Sequence, residues 1–383
     1  MTDDGSEQSP DVRDRALAAI ILAAGKSTRM KSHLPKVMHD ICGRSMLSHV
    51  LRACGNSGID QFFIVVGFGK DLITQTYADD SALRFVEQSE QKGTGHAVLV
   101  CEEALRGFDG DVVVLAGDMP MIREQTLRDL IEGHRSAGAA ASLATTVLED
   151  PSGYGRILRD SDGGFERIVE HRDCSAEQLE ICEVNPSYYC FDAPVLFSAL
   201  HDIRPDNAKG EYYITDVFEI LRGLGKTVQA VTRVPADDAV GINSRADLAD
   251  VARRMQRRIQ TGWMDNAVTI IDPSTTWIDS RAQIGPDSEI KPFSTIEGNA
   301  RIGSNCLVGP YAYVTSGAVI EDGTTLGPGV LRAFDTTGES RNHSHPSSHR
   351  RATKVVRRPP PASIDGEEGG SLSSKCSPGS PSC

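Results

Sequence analysis

ILAAGKSTRMKSHLPKV, residues Ile21 to Val37, decides how much of the chain folds. The residues leading into it, Leu17 to Ala24, are nearly all aliphatic. A short run of that kind is a strand buried on both faces. It breaks at Gly25 into a turn that carries Lys26, Thr28, Arg29, Lys31 and Lys36. Gly25-Lys26-Ser27-Thr28 looks like the end of a phosphate-binding P-loop. That motif, however, requires a glycine where this chain has Ile20, inside the apolar run. Two readings are left. Backbone N–H groups in a small-residue turn with cations nearby suit a triphosphate. An ordinary strand-to-helix turn with surface lysines fits as well.

Working outward, apolar strands and amphipathic helices alternate from residue 16 to about 250. Strands are predicted at Ala16–Ala23, Phe62–Val66, Val112–Ala116, Ala141–Val147 and Val228–Val234. Helices are predicted at Ser45–Cys54, Thr94–Leu105, Arg123–Ala137 and Glu211–Leu221. In the first of these, Met46, Leu47, Val50, Leu51 and Cys54 share one face. The alternation predicts an α/β fold with a Rossmann-like, mostly parallel sheet covered on both sides. Ligands then gather beyond the carboxyl ends of the strands. The Gly25 turn and Ala116-Gly117-Asp118-Met119-Pro120 both fall there.

Residues 244–265 read as a charged connector helix. Beyond it the period changes. Ile278, Ile284, Ile290, Ile296, Ile302, Val308, Val314, Ile320 and Leu326 recur at a spacing of six, with glycine following directly at 285, 303, 309 and 327. Period six is the hexapeptide repeat of a left-handed parallel β-helix, here about three coils over residues 266–331. Residues 332–383 are rich in Ser, Pro, Gly, Arg and His. They carry eight Lys/Arg against five Asp/Glu and too few apolar residues to bury a core. A disordered basic tail is expected there, and a disordered acidic lead-in over residues 1–15.

The bulk numbers narrow the function classes. A formal net charge of −13 argues against nonspecific nucleic-acid binding. No apolar run approaches the roughly 20 residues that span a bilayer, and the polar start does not suit a secretory signal. Nine scattered cysteines without a CxxC pair read as free thiols in a reducing cytosol.

Several separated motifs then fall in one order: Leu22-Ala23-Ala24-Gly25, Thr28-Arg29-Met30 and Leu34-Pro35-Lys36-Val37; Gln88 with Gly93-Thr94-Gly95-His96-Ala97; Gly117-Asp118; Gly153-Tyr154-Gly155-Arg156; Ile168-Val169-Glu170-His171; Asn185; Gly210 to Asp216; and Gly241-Ile242-Asn243. Together they resemble the signature of sugar-1-phosphate nucleotidyltransferases. The nearest match is the bifunctional bacterial family of N-acetylglucosamine-1-phosphate uridylyltransferases that are also glucosamine-1-phosphate N-acetyltransferases.

The resemblance implies a chemistry. A sugar phosphate oxygen attacks the α-phosphorus of UTP and pyrophosphate leaves, by positioning and charge stabilisation rather than by a protein nucleophile. It implies that Leu22, Ala23, Ala24 and Gly25 wrap the nucleotide phosphates, that Arg29 grips the leaving pyrophosphate, and that Lys36 neutralises charge between the reactants. Gln88, Gly93 and Thr94 resemble the uracil site, where an amide offers a donor and an acceptor. Gly155, Glu170, Asn185 and Asn243 resemble the N-acetylglucosamine-1-phosphate contacts. Asp118 and Asn243 would hold Mg²⁺, which suits a few oxygen ligands. The family also implies a cytoplasmic homotrimer joined through the β-helix, with no nucleic-acid or membrane partner.

Bland readings stand beside these: a turn-forming aspartate for Asp118, a helix N-cap for Asn243, and a cap on its own helix for Thr94. The chain departs from the family at Ser27, where glycine is usual, at Ala116, where tyrosine is common, and at Pro186-Ser187, where Thr-Gly is usual. The later coils that carry the acetyl-transfer histidine find no match, so acetyltransferase activity is expected to be absent. Rival expectations are another sugar-1-phosphate nucleotidyltransferase, such as one making a thymidylyl sugar from glucose-1-phosphate, a hexapeptide acyltransferase with a decayed nucleotidyl domain, and a noncatalytic sugar-nucleotide sensor.

Overall fold

The computed structural model describes residues 15–26, 28–232, 234–331 and 356–357. The expected lead-in, except Arg15, and the expected tail, except Val356–Arg357, lie outside the described residues. The chain divides into two compact units. One runs to Gly262 and takes in Ile278–Arg281; the other takes Trp263–Trp277 and continues from Ala282.

In the first unit the opening strand, Ala16–Leu22, lies in the middle of a sheet. Its alternate residues feed two separate cores. Ala18 and Ile20 enter one and Ala19 and Ile21 the other, all four fully buried. Burying each isoleucine contributes about 1.5–3 kcal/mol. The helices Met46–Asn56 and Glu124–Ser136 cover one face through Leu47, Val50, Leu127 and Leu130. Thr94–Leu99, Ala193–Leu200 and Asp216–Gly223 cover the other through Val98, Leu196, Val217 and Phe218.

Sheet direction changes halfway across. Leu83–Glu87, Gln61–Val66, Ala16–Leu22 and Gly110–Ala116 pair in parallel. Tyr188–Asp192 then inserts antiparallel between Gly110–Ala116 and Ala141–Val147. Beyond it Glu183–Asn185, Gly155–Arg159 and Phe165–Val169 continue as antiparallel ribbons, and Val228–Thr232 joins Ala141–Val147 in parallel. The parallel register pairs Leu22 with both Val65 and Ala116, and Val66 with Glu87. The Gly25 turn, Gln88 and Gly117-Asp118 therefore leave the sheet at one edge.

Two expected helices begin or end elsewhere. The helix expected at Glu211–Leu221 starts only at Asp216. The residues before it run as a strap, with Tyr212 donating to Lys92 O (2.8 Å) and accepting from Gly95 N (2.7 Å). Those pairings use the backbone groups that a helix would have used. The helix expected at Thr94–Leu105 ends at Leu99 and continues in turns. The helix expected as a connector, observed at Arg245–Asp265, buries Val251 and Met255 against Met30, Ile41, Met46, Met121 and Ile242. It is part of the first unit's packing.

In the second unit, Ile284 pairs with Ile302, Ile290 with Val308 and Ile296 with Val314, each eighteen residues on. Three stacked parallel sheets result, with three hexapeptides per coil, the geometry of the left-handed β-helix. The nine aliphatic positions from Ile278 to Leu326 are all at most 6% exposed. Three residues after these positions the chain turns a corner with positive φ, at Asp287, Phe293, Asn299, Asn305, Tyr311, Gly317, Gly323 and Gly329. Asn, Asp and Gly tolerate that conformation; bulky aromatics rarely do. Phe293 and Tyr311 adopt it one coil apart, exposed, with rings stacked at 4.9 Å. Val356–Arg357 pairs antiparallel with Thr324–Leu326.

Candidate active site

Where the parallel strands end, four polar side chains from distant parts of the sequence meet. Lys36 forms an ion pair with Asp118. The same ammonium lies 3.2 Å from Asn243 Oδ1, and Arg29 donates to that oxygen at 2.9 Å. Each group is delivered by local backbone chemistry. Asp118 follows Gly117, whose N–H donates to Leu22 O at 3.0 Å. A Cβ on Gly117 would stand 3.1 Å from that same oxygen. Ile242 N donates to Asp118 O, which seats Asn243 beside the aspartate. Ser244 caps the helix that follows: its Oγ accepts from Asp247 N, and Asp247 Oδ2 accepts from the N–H groups of Asn243 and Ser244. Asn243 is thus not the cap, and its side chain is turned to the two cations.

The residues expected to hold the nucleotide line a cleft of about 450 Å³ on one side of this meeting point. Leu22, Ala23, Ala24, Gly25, Gln88, Gly93 and Thr94 all border it, with Arg29, Lys36, Asp118 and Asn243. Ala24 O accepts from Phe68 N (3.2 Å) and from Gln91 Nε2 (2.7 Å), which anchors the entry to the Gly25 turn. Ser27 lies outside the described residues. Gly93 has φ +111°, and a Cβ there would meet Tyr212 O at 2.5 Å, so only glycine fits. Thr94 does not cap its helix; its hydroxyl accepts from Ile214 N at 3.1 Å and ties the strap to the cleft. Gln88 is buried, and its Nε2 lies 3.1 Å from both Gly93 O and His96 Nδ1. With His96 protonated on Nε2, both amide donors are spent. In that tautomer Gln88 turns only its carbonyl oxygen to the cleft.

A second cleft, of about 710 Å³, opens on the other side and shares Ala116, Asp118 and Asn243 with the first. Gly155, Glu170 and Asn185 border it. Burial pushes the Glu170 carboxyl above its ordinary value, partly opposed by Lys209 and by a hydrogen bond from Thr215. Asn185 is buried, donating to Tyr189 OH at 2.7 Å and accepting from Ser187 N at 3.0 Å. Ser187 holds φ +62°, a conformation natural to glycine. Arg156, almost fully buried, donates to Pro151 O (2.7 Å) and Leu179 O (3.3 Å) and fixes the loop that carries Gly155.

Sequence reasoning missed Gln91, Asp247 and Thr215. Gln91 sits in the same motif as Gln88, and Ser244-x-x-Asp247 is a capping pattern, so both left a signal. Asp216 ends the Gly210 to Asp216 motif, which carried no assigned chemistry; burial, with Glu170 nearby, raises its carboxyl to about 6.

The layout of sheet and clefts is that of a nucleotidyltransferase. Residues 19–199 match the MobA-like NTP transferase domain, and residues 281–316 and 299–331 match the bacterial transferase hexapeptide model. Over 280 residues the chain is 44% identical to the bifunctional protein GlmU of Geobacillus thermodenitrificans and 42% to that of Clostridium botulinum, covering 73% of this chain and 61% of each relative. The chain is similar to these bifunctional proteins over a nucleotidyltransferase domain and the hexapeptide repeats beyond it. It spans about three fifths of the length of the curated relatives it matches. A solved UDP-glucose pyrophosphorylase with bound UDP-glucose shares the fold, at TM-score 0.53 and 20% identity, over 63% of this chain and 99% of that one.

Proposed function

We propose that the first unit forms UDP-N-acetylglucosamine and pyrophosphate from UTP and N-acetylglucosamine-1-phosphate. The observation that carries this reading is the junction of Arg29, Lys36, Asp118 and Asn243, where the two clefts meet. One reactant is placed in each cleft, and the reacting atoms lie at their shared wall. A sugar phosphate oxygen forms a new bond to the α-phosphorus, and the bond from that phosphorus to the bridging oxygen breaks. Pyrophosphate carries away the electron pair. The monoester is already anionic near neutral pH, so no general base is needed. Lys36 offsets the charge that gathers between the two phosphates, and Arg29 presents a planar fork to the leaving group.

Asp118 and Asn243 Oδ1 fit a divalent cation. They are hard oxygen donors that already hold an ammonium between them, and no group of three or more His, Cys, Asp or Glu competes among the described residues. One or two protein ligands plus substrate phosphates is the pattern of Mg²⁺. When bound, the ion would screen the repulsion between the reactants.

The Gln88 carbonyl oxygen supports a base with an N–H at its pairing edge, as in uracil, over cytosine, whose ring nitrogen there is an acceptor. The buried Asn185 amide and Glu170 carboxyl support a sugar with polar substituents. The exposed Phe293 and Tyr311 support an assembly of several copies through the β-helix, a trimer by family resemblance. None of the described helices is long and apolar enough to cross a membrane.

The test is pyrophosphate release with Mg²⁺ across a panel of UTP, dTTP and CTP against N-acetylglucosamine-1-phosphate, glucosamine-1-phosphate and glucose-1-phosphate. UTP with the N-acetylated sugar should be the best pair by at least about tenfold, the discrimination that one well-placed contact supplies. A preference for dTTP with glucose-1-phosphate would replace this reading with the thymidylyl one.

A further inference from the structure

The same junction holds a feature that substrate binding does not require. Lys36 Nζ is ion-paired to Asp118 and 3.2 Å from Asn243 Oδ1, the two oxygens assigned above to the metal. Arg29 adds a second cation to the amide oxygen. The Lys36 side chain is largely withdrawn from solvent and that of Asp118 is partly so, 15% and 23% exposed. An ion pair between partly buried groups is screened less than one in open water.

We propose that Lys36 is a resident cation that occupies the divalent-ion ligands of the unliganded protein and competes with the metal for them. This deepens the proposed function and rests on its metal assignment. The physical argument is charge balance. Asp118 without a partner would be a part-buried carboxylate beside an apolar strand end, an unfavourable state. Lys36 satisfies it at no cost in external ligand. A divalent ion can take those oxygens only as the ammonium leaves, and the ammonium needs another anion to go to. Nucleotide phosphates arriving beside the Gly25 turn supply that anion. Tight metal binding is therefore conditional on the nucleotide, and the protein alone holds the ion weakly. Lys26 serves as the contrast. It borders the same cleft, is exposed, and lies over the Phe68 ring at 5.5 Å with no contact to Asp118. Its charge contributes only long-range repulsion.

The experiment is a Mn²⁺ titration of the full chain without nucleotide, reading unbound Mn²⁺ by electron paramagnetic resonance. Lys36→Met and Lys36→Gln should both tighten Mn²⁺ binding, by about tenfold or more, while Lys26→Met changes it less than about twofold, as expected for an exposed and screened charge. If the Lys36 variants bind no tighter than the parent, or no tighter than Lys26→Met, the resident-cation proposal is overturned and the metal assignment stands. Asp118→Asn should weaken Mn²⁺ binding in the parent. If Asp118→Asn binds as the parent does, the metal assignment itself fails and takes the proposal with it. Two different side chains at position 36 guard against a folding artefact in either one.

Discussion

The parallel half of the sheet ends in charges that face one another, and the antiparallel half ends in buried side chains hydrogen-bonded to backbone and tyrosine. At the parallel edge the strands stop in register, and short turns project Arg29, Lys36 and Asp118 into a shared space. On the antiparallel side the cleft is walled by loops between ribbons, where Asn185, Arg156 and Ser187 are held by backbone and tyrosine contacts. The contrast teaches that, in the proposed reaction, the two substrates would be handled by different physics. Phosphates need fixed countercharge at a rigid edge. A sugar is sorted by buried polar groups that lose their partners when the wrong ring enters.

That contrast can be broken at its strongest point first. Lys36→Ala and Asp118→Ala should each lower turnover by about 10²–10³, the usual effect of removing one preorganised charge contact, while Glu170→Gln should mainly raise KM for the sugar phosphate, by about tenfold. Steady-state kinetics with each substrate varied in turn separates the two, and a Glu170→Gln variant that loses turnover with unchanged KM would end the division of labour.

A smaller effect lies in Asp216. Its folded value of about 6 stands above the ordinary 3.8, because burial and Glu170 disfavour the charge. The folded chain therefore keeps that proton to higher pH than the unfolded chain does. Stability from this group is full below about pH 4 and is lost as pH rises towards 6. Asp216→Asn should flatten that slope and stabilise the chain at pH 7 by on the order of 1–2 kcal/mol, allowing for partial exposure. Urea midpoints at pH 4.5 and 7 would check it; an unchanged difference between the two pH values would count against the assignment.

The smallest effect sharpens the comparison most. Ser187→Gly relieves a left-handed serine but adds backbone freedom to the unfolded chain, for a net gain of at most about 1 kcal/mol. The Ser187 N–H to Asn185 survives the change, so KM for the sugar phosphate should not move. A raised KM would mean that the serine side chain itself takes part in reading the sugar.

The sequence made the parallel half easy to read because its signals are local and dense. An aliphatic run, a glycine turn and a short polar motif sit within a few residues of one another at Ile21–Val37. The hexapeptides were legible for the same reason, since one spacing sets strand, corner and core together. The antiparallel half was harder. Tyr188–Asp192 is short and follows Pro186-Ser187, which reads as a break, and its place between two other strands depends on pairings far along the chain. The strap before Asp216 looked helical because its competing partners, Lys92 and Gly95, lie more than a hundred residues earlier. The role of Asn243 was ambiguous until Ser244 and Asp247 were seen to satisfy the helix end without it.

The corner positions of the β-helix have a consequence for how this region can change in length. Each left-handed corner sits three residues past an inward aliphatic, and each aliphatic stacks on its counterpart eighteen residues away. Inserting a single residue would throw every later side chain out of phase, putting polar residues such as Glu289 and Arg301 on the axis and prolines such as Pro292 and Pro310 on the left-handed corners, where a ring locked at negative φ cannot sit. Removing eighteen would leave the remaining rungs aligned. Gain and loss here are quantised by the coil, so variation tolerated as drift in a surface loop can occur in this prism only in whole-turn steps.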